Sequence, residues 1–306
     1  MNRTGDRQIL FSRLGPTASR LGGTSALAAI AAALSLAVAG WCQAAEHNGV
    51  LPLGNLEADL HSAYSHIRLY RYHNVRTLAF VRDSGEEVLE TQVDLAKPYE
   101  LHFSYLQYLF LSYLFQPHAE HVAIVGLGGG SMIHFLQHYD PRVQIDAVEI
   151  DPLVVSIAQK YFAVRAGRNV NLITADALQY LSQAGPAYDV IYMDAFLKPS
   201  AGTDSTGAPL HLRTVQFYRQ LQQRLRPQGL VGFNLNPRAG IDDDVSTIRE
   251  AFPQVYVFDL PRGEGKVALA SMVPQRQPVP LLREKAQQLD RRFHAEFSFQ
   301  RMAGGG

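Results

Sequence analysis

At 306 residues, with 28 Lys plus Arg against 28 Asp plus Glu, 47% hydrophobic and 18% charged, the chain is too apolar and too balanced to be disordered. Zero formal net charge leaves no long-range field for nucleic acid or anionic lipid, which disfavours those partners and points to a small-molecule site. The single cysteine, Cys42, rules out an intrachain disulfide and a cysteine-based zinc centre.

Residues 1–44 read as an address rather than as fold. Arg3, Arg7, Arg13 and Arg20 come first, and from Leu21 to Ala45 there is no charge. The Ala/Leu run Ala26 to Ala39 then leads to Cys42-Gln43-Ala44, a small-x-small cleavage site. The run is shorter than the ~20 residues a bilayer span needs, so the segment predicts an export signal cut after Ala44 and a periplasmic or secreted protein. Retained as an anchor, it would be the chain's one membrane contact and would leave the domain facing out.

Residues 46–100 predict a small antiparallel β domain. Ser65 to Tyr72 and Thr77 to Arg82 alternate apolar and polar side chains, Glu87 to Val93 does so more loosely, and Asp83-Ser84-Gly85 makes a turn. The uncharged aromatic run Leu101 to Phe115 predicts a buried helix, and is compatible with a subunit contact. From His121 the pattern changes to β-α units. Strands are expected at His121 to Val125, Val143 to Ile150, Asn169 to Thr174, Tyr188 to Met193 and Gly229 to Asn234. Helices are expected at Ser131 to His138, Pro152 to Phe162, Ala177 to Gln183, Val215 to Leu225 and Asp242 to Phe252. Val255 to Leu260 and Lys266 to Ala270 are then separated only by a turn, which permits a hairpin and no crossover helix. Five parallel strands closed by an antiparallel pair give a methyltransferase-like, Rossmann-type α/β sheet of seven strands over residues 101–273. Residues 274–306 hold a terminal helix, Leu281 to Phe293, and a tail.

The candidate chemistry lies at strand ends. Gly126-Leu127-Gly128-Gly129-Gly130-Ser131 joins the first parallel strand to its helix, where glycines allow a tight turn and close approach of a ligand, or simply tight packing. Glu149, at the end of the second strand, is placed to accept from both hydroxyls of a ribose. Asp176, in Ala175-Asp176-Ala177, is placed either to accept from an adenine amino group or to cap a helix. Asp194 closes an apolar strand and projects toward the carboxyl edge of the sheet, a ligand or catalytic position. His134 and His138, spaced i, i+4, lack a third ligand, and no metal site is expected. Asp242, Asp243 and Asp244 favour a helix start. Lys198 to Ala208, rich in Gly, Ser and Thr, is placed to be a mobile flap after Asp194.

With these motifs in view, the sequence resembles the spermidine synthase (polyamine aminopropyltransferase) family, in its divergent bacterial branch. The resemblance runs from about His61 to Ala270, through GLGGGS, VEIDP, ADA and YDVIYMDAF. It implies decarboxylated S-adenosylmethionine as co-substrate, held at Glu149 and Asp176 beside the glycine loop. It also implies an amine acceptor deprotonated with help from Asp194, an acceptor pocket near Tyr105 and Gln107, and often a homodimer. Tyr105 serves core packing equally well. Two acids of the family pattern are missing: Gly129 and Leu197 stand where aspartates usually do. At ~1.5–3 kcal/mol for each hydrogen bond to a charged group, their loss weakens amine binding by roughly 10² to 10⁴. Asp204 is a candidate replacement, with a solvated loop residue as the plainer reading, and Lys198 either repels a diammonium or points outward. The alternatives are an S-adenosylmethionine-dependent methyltransferase, a non-catalytic exported binding protein, and an NAD-dependent oxidoreductase, against which the short final gap and Asp176 speak.

Overall fold

The half-buried alternation near the start becomes a four-stranded antiparallel sheet of β1 (Asn55–His61), β2 (His66–Tyr72), β3 (Val75–Val81) and β4 (Glu87–Asp94), paired in that order. The computed structural model describes residues 51–304, so the predicted export segment lies outside the described residues. β1 has no counterpart among the predicted strands, because most of its side chains are exposed and no inward apolar row marks it. In β4 the register shifts: Leu78 pairs with Thr91 and Ala79 with Leu89, which leaves Glu90 as the extra residue of a bulge. Bulges bend a strand and re-aim a side chain.

The run after Pro98 forms α1 (Ser104–Leu109) and then a tighter 3-10 segment, Phe110–Leu114, in place of one continuous helix. Its side chains from Leu109 to Leu114 are buried, with Phe110 stacked on Phe135 at 4.1 Å. This apolar stretch is interior to the chain, as a segment hydrophobic on all sides must be in water.

The second sheet has the order β10-β11-β9-β8-β5-β6-β7. In chain order it comprises β5 (His121–Val125), α2 (Ser131–Tyr139), β6 (Gln144–Glu149), α3 (Pro152–Tyr161), β7 (Val170–Thr174), α4 (Ala177–Ser182) and β8 (Tyr188–Met193). There follow α5 (Val215–Gln223), β9 (Leu225–Leu235), α6 (Ile241–Ala251), β10 (Gln254–Asp259) and β11 (Lys266–Ser271). The chain then continues into α7 (Val279–Phe293) and α8 (Phe299–Ala303). Only β11 is reversed. It is antiparallel to both β9 and β10, so β10 runs with the parallel set and pairs with β11 as the antiparallel hairpin that the short turn predicts.

Successive residues of β5 feed opposite layers: Val122 and Ile124 enter one apolar cluster, Ala123 and Val125 the other. The first cluster also takes in Ile67, Leu69, Leu78 and Val93, so the small sheet shares its core with the α/β layers. The chain winds from β5 outward to β7 and then returns to β8 on the other side of β5. This reversal opens a crevice at the carboxyl ends of β5 and β8, the place where ligands of such sheets bind.

Candidate active site

Gly126 leaves β5 at φ +93°, and a Cβ there would lie 2.1 Å from the carbonyl oxygen of Asp194. Only glycine lets the two strand ends pass so closely. The Asp194 N–H donates to Val125 O at 2.9 Å and locks them together. Gly126, Gly128 and Gly130 line an open cleft, and Glu149, Asp176, Ala177, Asp194 and Tyr105 line it too. Gly129 does not line it. Its N–H donates to Thr91 Oγ1 at 3.0 Å, and a Cβ would fall 2.5 Å from Thr91 Cγ2 and 2.7 Å from the Phe162 ring. Gly129 is small because β4 and α3 press on it from behind the wall, which corrects its assignment as a ligand contact.

Glu149 is buried and accepts from Leu127 N at 3.0 Å and Asp151 N at 2.9 Å, so it shapes the glycine turn from beneath. Burial raises its carboxyl, with those backbone donors pulling the other way. A carboxylate has about four acceptor sites, so capacity remains on the side facing the cleft. Both readings of Asp176 coexist. Its Oδ1 caps α4 through Gln179 N at 3.0 Å, while its Oδ2 lies 3.8 Å from His211 Nε2 on the cleft wall. Ser131 Oγ, also on the wall, is buried without a hydrogen-bond partner.

Asp194 extends from the end of β8 at the reversal point. Asn234 Nδ2, from β9, donates to its Oδ1 at 2.8 Å. Burial pushes the Asp194 carboxyl up to about 7, against the opposing pull of hydrogen bonds from Asn234 and Tyr105. Burial, then the charges of Asp194 and Glu90, hold the Tyr105 hydroxyl protonated well beyond the ordinary tyrosine range. Tyr105 is thus a cleft residue as well as a packing residue. Gln107 is not: its Nε2 donates to Leu101 O at 2.8 Å, and it lines neither the cleft nor the cavity beside it.

Sequence reading missed Glu90. Strand alternation gives no reason to aim it inward, and the bulge that does so leaves only the loosened pattern over Glu87 to Val93 as a signal. Burial, and then the charge of Asp194, push the Glu90 carboxyl up to about 8, with Arg82 opposing. Glu90, Tyr105 and Phe196 are shared between the cleft and a second, open cavity.

Asp204 does not replace a missing amine ligand. Its carboxylate is taken up by Arg213, by Arg238 at 2.9 Å and by Thr206 at 2.7 Å, and it lines neither cavity. Its role is to pin the loop after Asp194, the predicted flap, to the segments just before α5 and just after β9. Lys198 pairs with Asp83 in the β3–β4 turn. His134 Nε2 bonds Phe162 O at 2.8 Å while His138 stacks on Tyr99, so the two histidines serve packing. Among the described residues, the one grouping of three metal-ligating types is Asp59, His61 and His66, outside the cleft and with Asp59 engaged by Arg68 at 2.9 Å.

Residues 105–239 match the family model described as the spermine/spermidine synthase domain. A polyamine aminopropyltransferase of Vibrio vulnificus is 30% identical over 232 residues, which cover 74% of this chain and 75% of that one. The crystal structure of spermidine synthase from Thermotoga maritima superposes with a TM-score of 0.61 over 81% of this chain and 82% of that one; at 20% identity this bears on the fold alone. Human methyltransferase-like protein 13, solved in complex with SAH, superposes with a TM-score of 0.58 at 26% identity, over 64% of this chain and 95% of that one. The family match runs from Tyr105 through Glu149, Asp176 and Asp194 to Asn234, which are the side chains that meet around the cleft. With three-quarters of the Vibrio enzyme matched besides, the chain belongs to the spermine/spermidine synthase family.

Proposed function

We propose that the cleft transfers an aminopropyl group from decarboxylated S-adenosylmethionine to a primary amine, with Asp194 as general base. The observation that carries this reading is a carboxyl with proton affinity near neutral pH, at the sheet reversal, in the same cleft as Glu149 and Asp176. A base is most effective when its pKa lies near the working pH. In this reading Glu149 uses its remaining lone pairs for the ribose hydroxyls, and Asp176 uses the oxygen free of the helix cap for the adenine amino group. An alkylammonium gives a proton to Asp194, and the freed nitrogen lone pair attacks the methylene carbon next to the sulfonium. The carbon–sulfur bond breaks with its electron pair going to sulfur, so methylthioadenosine leaves as a neutral thioether. Asn234 and Tyr105 hold the carboxylate in line, and fixed geometry supplies much of the acceleration.

The test is release of methylthioadenosine with putrescine, spermidine and simple amines, in the parent and in Asp194→Asn. Turnover is expected to fall by 10²–10⁴ in the variant, and unchanged turnover would remove Asp194 from this role. Donor class is read separately by thermal shift with methylthioadenosine, both adenosyl donors and NAD. A ligand at 100 times its dissociation constant adds about 2.7 kcal/mol of stability, and stabilisation by NAD alone would overturn the donor.

A second reading, methyl transfer from S-adenosylmethionine, draws on the likeness to the SAH-bound human structure. It requires tighter binding of S-adenosylmethionine than of its decarboxylated form.

A further inference from the structure

We propose that Glu90 is the second ligand of the acceptor's ammonium group, and that the cavity beyond it selects a primary amine with an apolar tail over a diamine. The inference rests on the adenosyl-donor reading of the cleft. Glu90 is the bulged residue of β4 and stands where the two cavities meet, with Tyr105 and Phe196. Among the described residues no hydrogen bond offsets the burial of its carboxyl. Close by, the Asn234 amide nitrogen is committed to Asp194, and its Oδ1 is buried with no partner. An ammonium group donates three hydrogen bonds. Glu90 and Asn234 Oδ1 are acceptors without a donor, and Asp194 keeps lone pairs beyond those that Asn234 and Tyr105 use, so β4, β9 and β8 together offer an ammonium three acceptors. Glu90 thus supplies an acid that Leu197, on the same cleft, does not.

The rest of the second cavity argues against a second ammonium. Its other carboxylate, Glu264, is engaged by Arg262 Nε at 3.0 Å and by Ser104. Its other guanidinium, Arg82, pairs with Glu86 at 3.0 Å. His102 lies on the wall with its Nε2 buried and unpartnered, and burial lowers its proton affinity. The far ammonium of a diamine would therefore meet two guanidinium groups and no free carboxylate. Val88, Leu89, Phe103 and Leu260 on the same wall fit a hydrocarbon tail.

The experiment is calorimetric titration of methylthioadenosine-loaded protein with pentylamine and with putrescine. Pentylamine is expected to bind at least as tightly as putrescine. Glu90→Gln is expected to weaken both roughly 10- to 100-fold, with the affinity for methylthioadenosine, which also reports on folding, within twofold of the parent. Val88→Asp, elsewhere on the cavity wall, is expected to move the preference toward putrescine by about tenfold. Tighter binding of putrescine by the parent, unchanged amine affinity in Glu90→Gln, or an unmoved preference in Val88→Asp overturns the proposal. Parent protein that binds methylthioadenosine but no amine overturns it too, leaving the donor reading intact. Failure to bind methylthioadenosine at all removes the donor reading and this one with it.

Discussion

Asp194→Asn separates what the carboxyl does for chemistry from what it does to the fold. In the folded chain the group titrates near 7, against an ordinary value of 3.8, because burial disfavours its charge. At about 1.4 kcal/mol for each tenfold change in proton affinity, and allowing for water reaching the cleft side of the group, ionising it costs the fold on the order of 2–4 kcal/mol. The direction with pH follows from where the proton sits. Between the two values the folded chain keeps a proton that the unfolded chain has lost, so stability falls as pH rises through that window. Asparagine does not titrate, and its side-chain oxygen still accepts from Asn234. The variant's advantage is therefore small near pH 4.5 and complete by pH 8, where it amounts to roughly 4–16 °C in Tm at ~2–4 °C per kcal/mol. Loss of the Asp194 charge also eases the strain on Glu90, which adds in the same direction. Scanning calorimetry at the two pH values measures this. An equal difference at both, or a less stable variant at pH 8, would refute the claim that Asp194 is held as a destabilised base.

Gly129→Asp, which restores the family's acid in name, is expected to lower stability by about 1–3 kcal/mol in urea titration without improving amine affinity. The new side chain meets Thr91 and Phe162 and not the cleft. Asp204→Asn leaves Arg213 and Arg238 with Asp244 as their remaining carboxylate, and is expected to cost about 1–3 kcal/mol and to raise KM for the amine as the loop loosens. Burial pushes the Asp204 carboxyl up, but bonds from Thr206 and Arg213 outweigh it and hold the carboxyl below its ordinary value. Its stabilisation is thus in full force above the ordinary carboxyl range, and the deficit of the variant should shrink only as acid takes the pH below that range. We also propose export. Protein made in a bacterium with its own N-terminus is expected in the periplasmic fraction as a chain beginning at Ala45, by intact mass; an unprocessed cytoplasmic chain would refute this.

Gly126, Glu149, Asp176 and Asp194 were legible because a parallel sheet assigns their meaning by position. Apolar runs locate the strands, each strand end faces the same edge, and polar residues at those ends have few other reasons to be there. What escaped was set by contacts between distant segments. β1 hides because its residues are exposed, and the insertion of β11 between β9 and β10 is an order that hairpin spacing alone does not reveal. Asp204 reads as a loop acid until Arg213 and Arg238 close on it. Gly129 reads as a ligand contact until Thr91, 38 residues earlier, is found against it. Glu90 is the sharpest case, since one extra residue in β4 reverses which way a side chain faces. The same bulge carries Glu90 to the neck between the two cavities, next to Asp194. On the proposal made above, a chain that lacks an acid its family usually carries at the end of β8 regains one from a change of register, in a strand that belongs to the other sheet.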